Sequence, residues 1–225
     1  MEHPILFLDV LLSKFGVHIP PQVTYSWAVI LILVGLGILA SRRVTLVPAG
    51  AQNVFELIVG GLEDFMVEIT GEEGRAFFPF IATLFLYIMT CNLIGLIPGF
   101  LSPTANINTP LSMALCTFVY THYLGVKYHG AKYIKHFLGP IPALAPLFFP
   151  IELIGHCARV LSLTLRLFGN IMGEDLVLAI LLFLAGMFLA PLPMMFLAVF
   201  TSVVQAFVFT LLSMMYFAGS MEHAH

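Results

Sequence analysis

Charged side chains are scarce in this chain. Asp, Glu, Lys and Arg make up 9% of its 225 residues, whereas a soluble domain carries about 25%. None of the four occurs within residues 15–41, 76–126 or 176–221. Each of these runs exceeds the roughly 20 apolar residues that a helix needs to cross a hydrocarbon core of about 30 Å. A water-soluble domain is therefore excluded, and the sequence predicts a protein that crosses a membrane several times.

The apolar runs also lack the alternation of a transmembrane barrel. Barrel strands need segments of about 10 residues in which apolar and polar side chains alternate, and a run such as IATLFLYIM at residues 81–89 does not alternate. Since lipid offers the backbone no hydrogen-bond partners, the remaining way to cross is the helix. We therefore expect an all-α, polytopic transmembrane protein.

Several kinds of site have no signal in the sequence. The three cysteines lack C-x-x-C spacing, which argues against a disulfide framework. His122, His129 and His136 recur at a spacing of seven, but no fourth ligand accompanies them, so no metal site is predicted. No nucleotide-binding motif occurs, and we expect neither a bound cofactor nor a nucleic-acid partner. The first apolar run follows Glu2 and Asp9 rather than a basic segment, so it is interpreted as a retained span.

Prolines, glycines and the few charges divide the chain into the segments of one integral membrane domain, residues 1–225. The predicted segments are a first span (25–40), an interfacial amphipathic helix (53–75), two further spans (77–97 and 111–126) and a C-terminal hairpin (147–190 and 194–218). With one crossing for each helix of the hairpin, about five crossings are expected.

The first helix of the hairpin is too long to stand upright in a bilayer. About 40 residues separate Pro150 from Pro191 without another proline. A continuous helix of that length measures about 60 Å, twice the hydrocarbon thickness. We expect the helix either to tilt steeply or to break, with the region from Gly169 to Gly173 as the weak point.

The distribution of Lys and Arg predicts the orientation. The N-terminal tail carries one, and the loops after the first, second and third spans carry three, none and three. Because cytoplasmic loops carry the excess of Lys and Arg, the N-terminus is expected outside. Five crossings then place the C-terminus inside.

Polar side chains recur along one face of the hairpin's first helix. At steps of four, three, three, four and four they are Glu152, His156, Arg159, Ser162, Arg166 and Asn170. These are the steps of a single helical face. An arginine at the bilayer centre costs about 2.5 to 3.5 kcal/mol, so it normally faces a partner or a water-filled cavity. We call this face the polar stripe.

Arg166 has no well-placed acid within one helical turn of its own chain. Glu152 lies about four turns away, Glu174 two turns on, and Asp175 nearly on the opposite face. Its counter-charge can therefore belong to another chain, although an intramolecular ion pair or snorkelling remains an alternative. In the last helix Gln205 is a strongly polar residue in an apolar run, and a buried amide there requires partners.

At this point the residues resemble a known family. The segment LSLTLRLFGNIMGEDL, with Gln205-Ala-Phe-Val-Phe209 beginning 39 positions after the arginine, is similar to subunit a of the bacterial F-type ATP synthase. The pieces Pro150-Ile-Glu-Leu, Asn92-Leu-Ile-Gly-Leu-Ile-Pro98 and Pro103-Thr-Ala-Asn-Ile-Asn108 match as well.

The resemblance implies a proton-translocating stator subunit that is not catalytic by itself. Arg166 would face a rotating ring of c subunits, near the meeting point of two aqueous half-channels. Glu152 matches the acid of the cytoplasmic half-channel, and Asn170 the polar residue one turn after the arginine. Glu174, Asp175 and Gln205 match positions of the opposite half-channel; His156 adds a proton-exchanging group to the stripe.

The resemblance also implies location and partners. The chain would lie in the bacterial inner membrane, in contact with lipid, the c ring, the b-subunit peripheral stalk and the remaining ATP synthase subunits. One departure is that some members carry a histidine where this chain has Ala198, and glycine where it has Glu174, so Glu174 is a candidate to take over the histidine's role.

Two other functions require sequence signals that this chain lacks. A self-contained ion transporter or channel should show an internal repeat and a second discontinuous hydrophobic segment, and neither is visible in the sequence. A membrane hydrolase using Glu152 and His156 would need a second histidine on that face. The choice between H⁺ and Na⁺ as the coupling ion rests largely on the partner ring.

Overall fold

The computed structural model describes residues 19–41, 51–97, 99–130, 133, 145–185 and 191–221. Within these ranges all regular structure is helical, which confirms the predicted class. The α-helices whose bounds lie in these ranges are α1 (Pro21–Ser41), α2 (Ala51–Thr70), α3 (Phe78–Ile94), α4 (Asn108–His129), α5 (Ala145–Ala185) and α6 (Pro191–Met221). Short 3₁₀ turns at Glu72–Phe77 and Pro103–Ala105 precede α3 and α4.

Local sequence explains where several helices begin and end. A proline in the first turn of α3 sets a helical φ angle without losing a backbone hydrogen bond. The end of α4 is followed by Gly130, whose φ of 57° suits glycine. Lys127 and His129 lie in the last turn of α4, where a positive charge complements the helix dipole.

Four helices are long and apolar enough to cross a membrane, by length and composition: Pro21–Leu39, Glu72–Ile94, Phe148–Leu184 and Pro191–Met221. The helix α4, which contains the predicted span 111–126, is not among them because polar side chains such as Thr117, Thr121 and His122 lower its hydropathy. The helix α4 packs against α5 and α6. The chain is thus a polytopic helical protein, and a fifth crossing by α4 stays a prediction.

The long helix α5 is continuous. It runs for 41 residues, with Pro150 inside it and without interruption at Gly169 or Gly173. The break considered from the sequence is therefore wrong. A glycine costs about 1 kcal/mol relative to alanine in a helix, whereas a broken helix exposes several backbone groups that lipid cannot satisfy. At about 60 Å this helix exceeds the hydrocarbon thickness, so the tilt is the alternative that remains.

The amphipathic segment ends earlier than expected. The helix α2 stops at Thr70, not Arg75, because Gly71 adopts a φ of 73° and a 3₁₀ turn follows. Arg75 in that turn lies 3.6 Å from Glu63 and 3.2 Å from Glu72. The apolar side of α2 buries Leu62 and Met66 in the common core.

The core lies between α3, α4, α5 and α6. Aromatic rings fill one end of it: Phe80 stacks on Tyr120 at 4.8 Å, and Phe217 lies 5.8 Å from Phe77. The first helix joins through Val29, which packs in a smaller cluster with residues of α3. This bundle fixes which face of α5 turns inward.

Some features used to predict topology lie outside the described residues. They are Lys14, Arg42, Arg43, Pro98, Lys132, Lys135, His136, residues 186–190 and the tail 222–225.

Candidate functional site

The polar stripe of α5 lies mostly on the outside of the bundle. Leu163, Leu167 and Ile171 are buried in the core on one side of the helix. Arg166 and Asn170 are exposed on another side. The stripe therefore forms an outward surface, with the exception of its buried histidine, and a neighbouring molecule could reach it.

Arg166 is exposed and forms one described hydrogen bond. Its Nη2 donates to the hydroxyl oxygen of Ser162 at 3.4 Å, one turn earlier. Among the described residues, no carboxylate oxygen lies within 4.0 Å of this guanidinium. The intramolecular ion pair considered from the sequence is therefore not formed in the described part of the chain.

The second arginine of the stripe behaves differently. The guanidinium of Arg159 lies over the ring of Tyr216, 5.4 Å from its centroid. Such a cation–π contact stabilises the charge by about 0.5 to 2 kcal/mol, depending on its solvation. Arg159 also lines a small cavity between α4, α5 and α6, together with His156 and Thr117. This arginine is thus held by its own chain, in contrast to Arg166.

A hydrogen bond joins the two long helices just beyond Arg166. Asn170 on α5 donates through Nδ2 to Oε1 of Gln205 on α6 at 2.9 Å. Gln205 is 4% exposed, and its Nε2 has no hydrogen-bond partner within the described residues. Two residues predicted separately from the sequence are therefore brought together, and a buried amide donor is left to bind water or another acceptor.

A polar cluster that sequence reasoning missed continues from this point. Asn92 on α3 donates through Nδ2 to the carbonyl oxygen of Ser202, 3.4 Å away, and Ser202 lies one turn before Gln205. Thr104 donates to Oδ1 of Asn92 at 2.6 Å, and the Ser102 hydroxyl lies 2.7 Å from that of Thr104. All four residues are buried. Their signal in the sequence is polarity inside an uncharged run. Asn92 and Thr104 also lie in segments that match the family.

The two acids after the stripe are half-buried. Glu174 and Asp175 lie one turn beyond Asn170 on α5. Glu174 interacts with Thr201 of α6, next in sequence to the buried Ser202. Ala198 on α6, the position considered from the family resemblance, is 2% exposed. Glu174 and Asp175 are thus two half-buried carboxyl groups on this side of Arg166.

The other end of the stripe holds a second polar pair. Nε2 of His156 lies 3.4 Å from Oε1 of Glu152, and the histidine side chain is 7% exposed against 35% for the glutamate. Glu152 is 14 residues before Arg166, which corresponds to about 21 Å along a helix. The predicted site residues thus form two separate groups, with Arg166 between them and close to the Asn170 group.

No metal site is visible in the described ranges, which contain no cluster of three or more His, Cys, Asp and Glu side chains. The described cysteines Cys91, Cys116 and Cys157 are all free. The described side chains brought together here are carboxyl, imidazole and amide groups, and the Arg166 guanidinium has no carboxylate partner among them.

Comparison with known proteins identifies the family. The family model of the ATP synthase A chain matches residues 23–218. The chain belongs to this family. ATP synthase subunit a of Syntrophobacter fumaroxidans is 59% identical to it over 239 aligned positions, which cover both chains completely. The subunits a of Desulfosudis oleivorans and Citrifermentans bemidjiense are 57% and 55% identical, again with full coverage of both chains. The family resemblance inferred from the sequence motifs is confirmed.

Proposed function

We propose that this chain is the proton-translocating stator subunit of the membrane sector of an ATP synthase. It provides two aqueous half-channels and couples proton flow to the rotation of a neighbouring ring of c subunits, and it is not catalytic by itself. The observation that carries the proposal is Arg166: an exposed guanidinium without a carboxylate partner in the described part of its chain.

The physical argument rests on the cost of a charge in lipid. An unpaired arginine at the bilayer centre costs about 2.5 to 3.5 kcal/mol, so its exposed face must meet water or an opposite charge. An acidic side chain of the ring supplies that charge when it is ionised. When protonated, the same side chain is neutral and can face lipid. Arg166 therefore makes each ring acid release its proton as it passes, and keeps the two half-channels separate.

The outer half-channel is assigned to the group that begins at Asn170. Asn170 and Gln205 are hydrogen-bonded side by side, Glu174 is half-buried one turn further on, and Asn92 continues the polar cluster into α3. The unpartnered Nε2 of Gln205 fits a water file, since buried water occurs where polar groups lack partners. Asp175 lies at the outer end of this half-channel and exchanges protons with its water.

The inner half-channel is assigned to Glu152 and His156 at the other end of the stripe. The partly exposed carboxylate contacts the buried imidazole, so a proton can pass between a solvated group and a protected one. The excess of Lys and Arg in the loops after spans one and three puts this end on the cytoplasmic side. The N-terminus then lies outside and the C-terminus in the cytoplasm.

The assembly follows from the same proposal. The whole chain forms one domain with five crossings in the bacterial inner membrane, with α5 and α6 as a tilted hairpin along the c ring. The exposed apolar side chains of α1, such as Leu31 at 68% and Trp27 at 65%, face lipid or the b-subunit peripheral stalk. The remaining ATP synthase subunits make the ATP.

Coupled proton pumping tests the proposal. In inverted membrane vesicles that contain the assembled complex, Arg166→Ala should abolish ATP-driven acidification, because the ring acids can no longer be discharged at the boundary between the half-channels. Arg75→Ala is the matched control, since it removes an arginine of the described chain that is paired with acids at the surface, and should pump normally. Normal pumping by Arg166→Ala would overturn the proposal.

A further inference from the structure

His156 belongs to a second buried cluster that neither the sequence pattern nor the family resemblance assigned. Its ring lies 4.8 Å from that of His122 on α4, centroid to centroid, and Phe118 packs edge-on against His122 at 4.3 Å. Nδ1 of His122 is 2.8 Å from the hydroxyl of Tyr133, which follows α4. The cluster therefore runs from Glu152 through two imidazoles to a phenol.

The cluster is shielded from lipid and water along most of its length. His156 is 6% exposed and Tyr133 is 9% exposed, while His122 is half-buried. The small cavity beside His156 is lined by Thr117 and Thr121 of α4. Imidazole carries two nitrogens, of which one can accept a proton while the other gives one up. Two such rings in contact can move a proton over a distance that a single residue does not span.

Two charged side chains of the described residues act on the cluster. The Arg159 guanidinium acts electrostatically on both His122 and Tyr133, and the Glu152 carboxylate acts on Tyr133. Burial raises the pKa of the Tyr133 phenol above its ordinary value, with Arg159 opposing this effect. The phenol therefore keeps its proton at neutral pH and can both donate and accept.

We infer that His156, His122 and Tyr133 form a proton relay at the inner end of the molecule, which connects Glu152 to the Tyr133 hydroxyl just after α4. One proton passes from the Glu152 carboxyl to Nε2 of His156, and His156 gives a proton to His122, directly or through one water. His122 gives its Nδ1 proton to the Tyr133 oxygen, whose own proton leaves to water. One proton enters and one leaves, so atoms and charge balance, and the reverse sequence carries a proton inward.

This inference rests on the proposed function, because it extends the same inner half-channel to two residues on and after α4. The spacing of the polar stripe on α5 could not show it. His122 and Tyr133 lie 34 and 23 residues before His156 in the sequence, and only packing brings the three together.

The test is made in liposomes that contain the purified complex, by measuring passive proton flux under an imposed pH gradient and ATP-driven pumping. Tyr133→Phe keeps the ring and removes the hydroxyl. It should slow passive flux and pumping by about tenfold. This is less than the full effect of losing an acid–base group, because water partly replaces the hydroxyl. His122→Ala should slow them similarly, and added imidazole should restore much of the flux. Tyr123→Phe and His129→Gln on α4 are matched controls and should conduct as the unsubstituted complex does.

Two outcomes would overturn the relay. Flux of Tyr133→Phe and His122→Ala equal to that of the controls would show that protons do not pass through these groups. A loss in His122→Ala that imidazole does not restore, combined with normal flux in Tyr133→Phe, would show that the histidine only supports packing. Arg166→Ala measured in the same liposomes separates the two proposals: its pumping reports on the proposed function whether or not the relay exists.

Discussion

The contact between Asn170 and Gln205 provides a quantitative test of the outer group. The two side-chain amides form a hydrogen bond of 2.9 Å that joins the two long helices. Hydrogen bonds between transmembrane helices contribute about 0.6 kcal/mol on average and at most about 1.7 kcal/mol. A double-mutant cycle of Asn170→Ala and Gln205→Ala should therefore give an interaction energy of about 0.6 to 1.7 kcal/mol.

The cycle is measured twice, on thermal unfolding of the complex in lipid nanodiscs and on the rate of ATP-driven proton pumping. If both amides bind the same water near Arg166, the pumping rate of the double variant should be only slightly lower than that of the slower single variant. Gln205→Ala should be the slower one, since its side chain is buried and that of Asn170 is exposed. Effects that add within about 0.3 kcal/mol in both measurements would refute the shared role.

Three further predictions concern other positions. Glu174→Gln should slow proton-driven ATP synthesis by at least about tenfold if the acid exchanges protons, and near-normal synthesis in vesicles would contradict that role. Asn92→Leu removes the acceptor of the buried Thr104 hydroxyl, and it should lower the unfolding free energy by about 1 to 3 kcal/mol; an unchanged Tm would argue against the cluster. Apart from its own stretch of helix, no described atom lies within 4 Å of a Cβ added to Gly169, so Gly169→Leu should leave the fold intact and slow pumping through a clash with the ring. Gly35→Leu, equally open, is its control, and equal pumping by both would place the ring elsewhere.

Periodicity predicted the features that lie within one helix. The steps of three and four from Glu152 to Asn170 identified a shared face, and the structure exposes Arg166 on it while Leu167 is buried. Length and composition predicted the helices because lipid permits few alternatives to them. The low helix propensity of glycine did not predict a helix break correctly, since Gly169 and Gly173 lie within an uninterrupted α5.

Contacts between helices could not be read from the same patterns. Thr104 and Asn92, or His122 and Tyr133, are joined by hydrogen bonds that depend on how helices and turns pack. Each residue alone is an ordinary polar side chain. Their partners became identifiable only when the fold placed them within about 3 Å of one another.

Disulfide cross-linking tests the central claim, that the exposed face around Arg166 lies against the rotating ring. Ser162→Cys and Asn170→Cys flank the arginine on that face, and each is combined with a cysteine next to the ring's acidic residue, in a background without the native cysteines. Both should cross-link to the c subunit, because a disulfide requires Cα atoms within about 7 Å. Leu31→Cys on α1, 68% exposed, should not. Cross-linking from Leu31→Cys but from neither position on α5 would contradict the account.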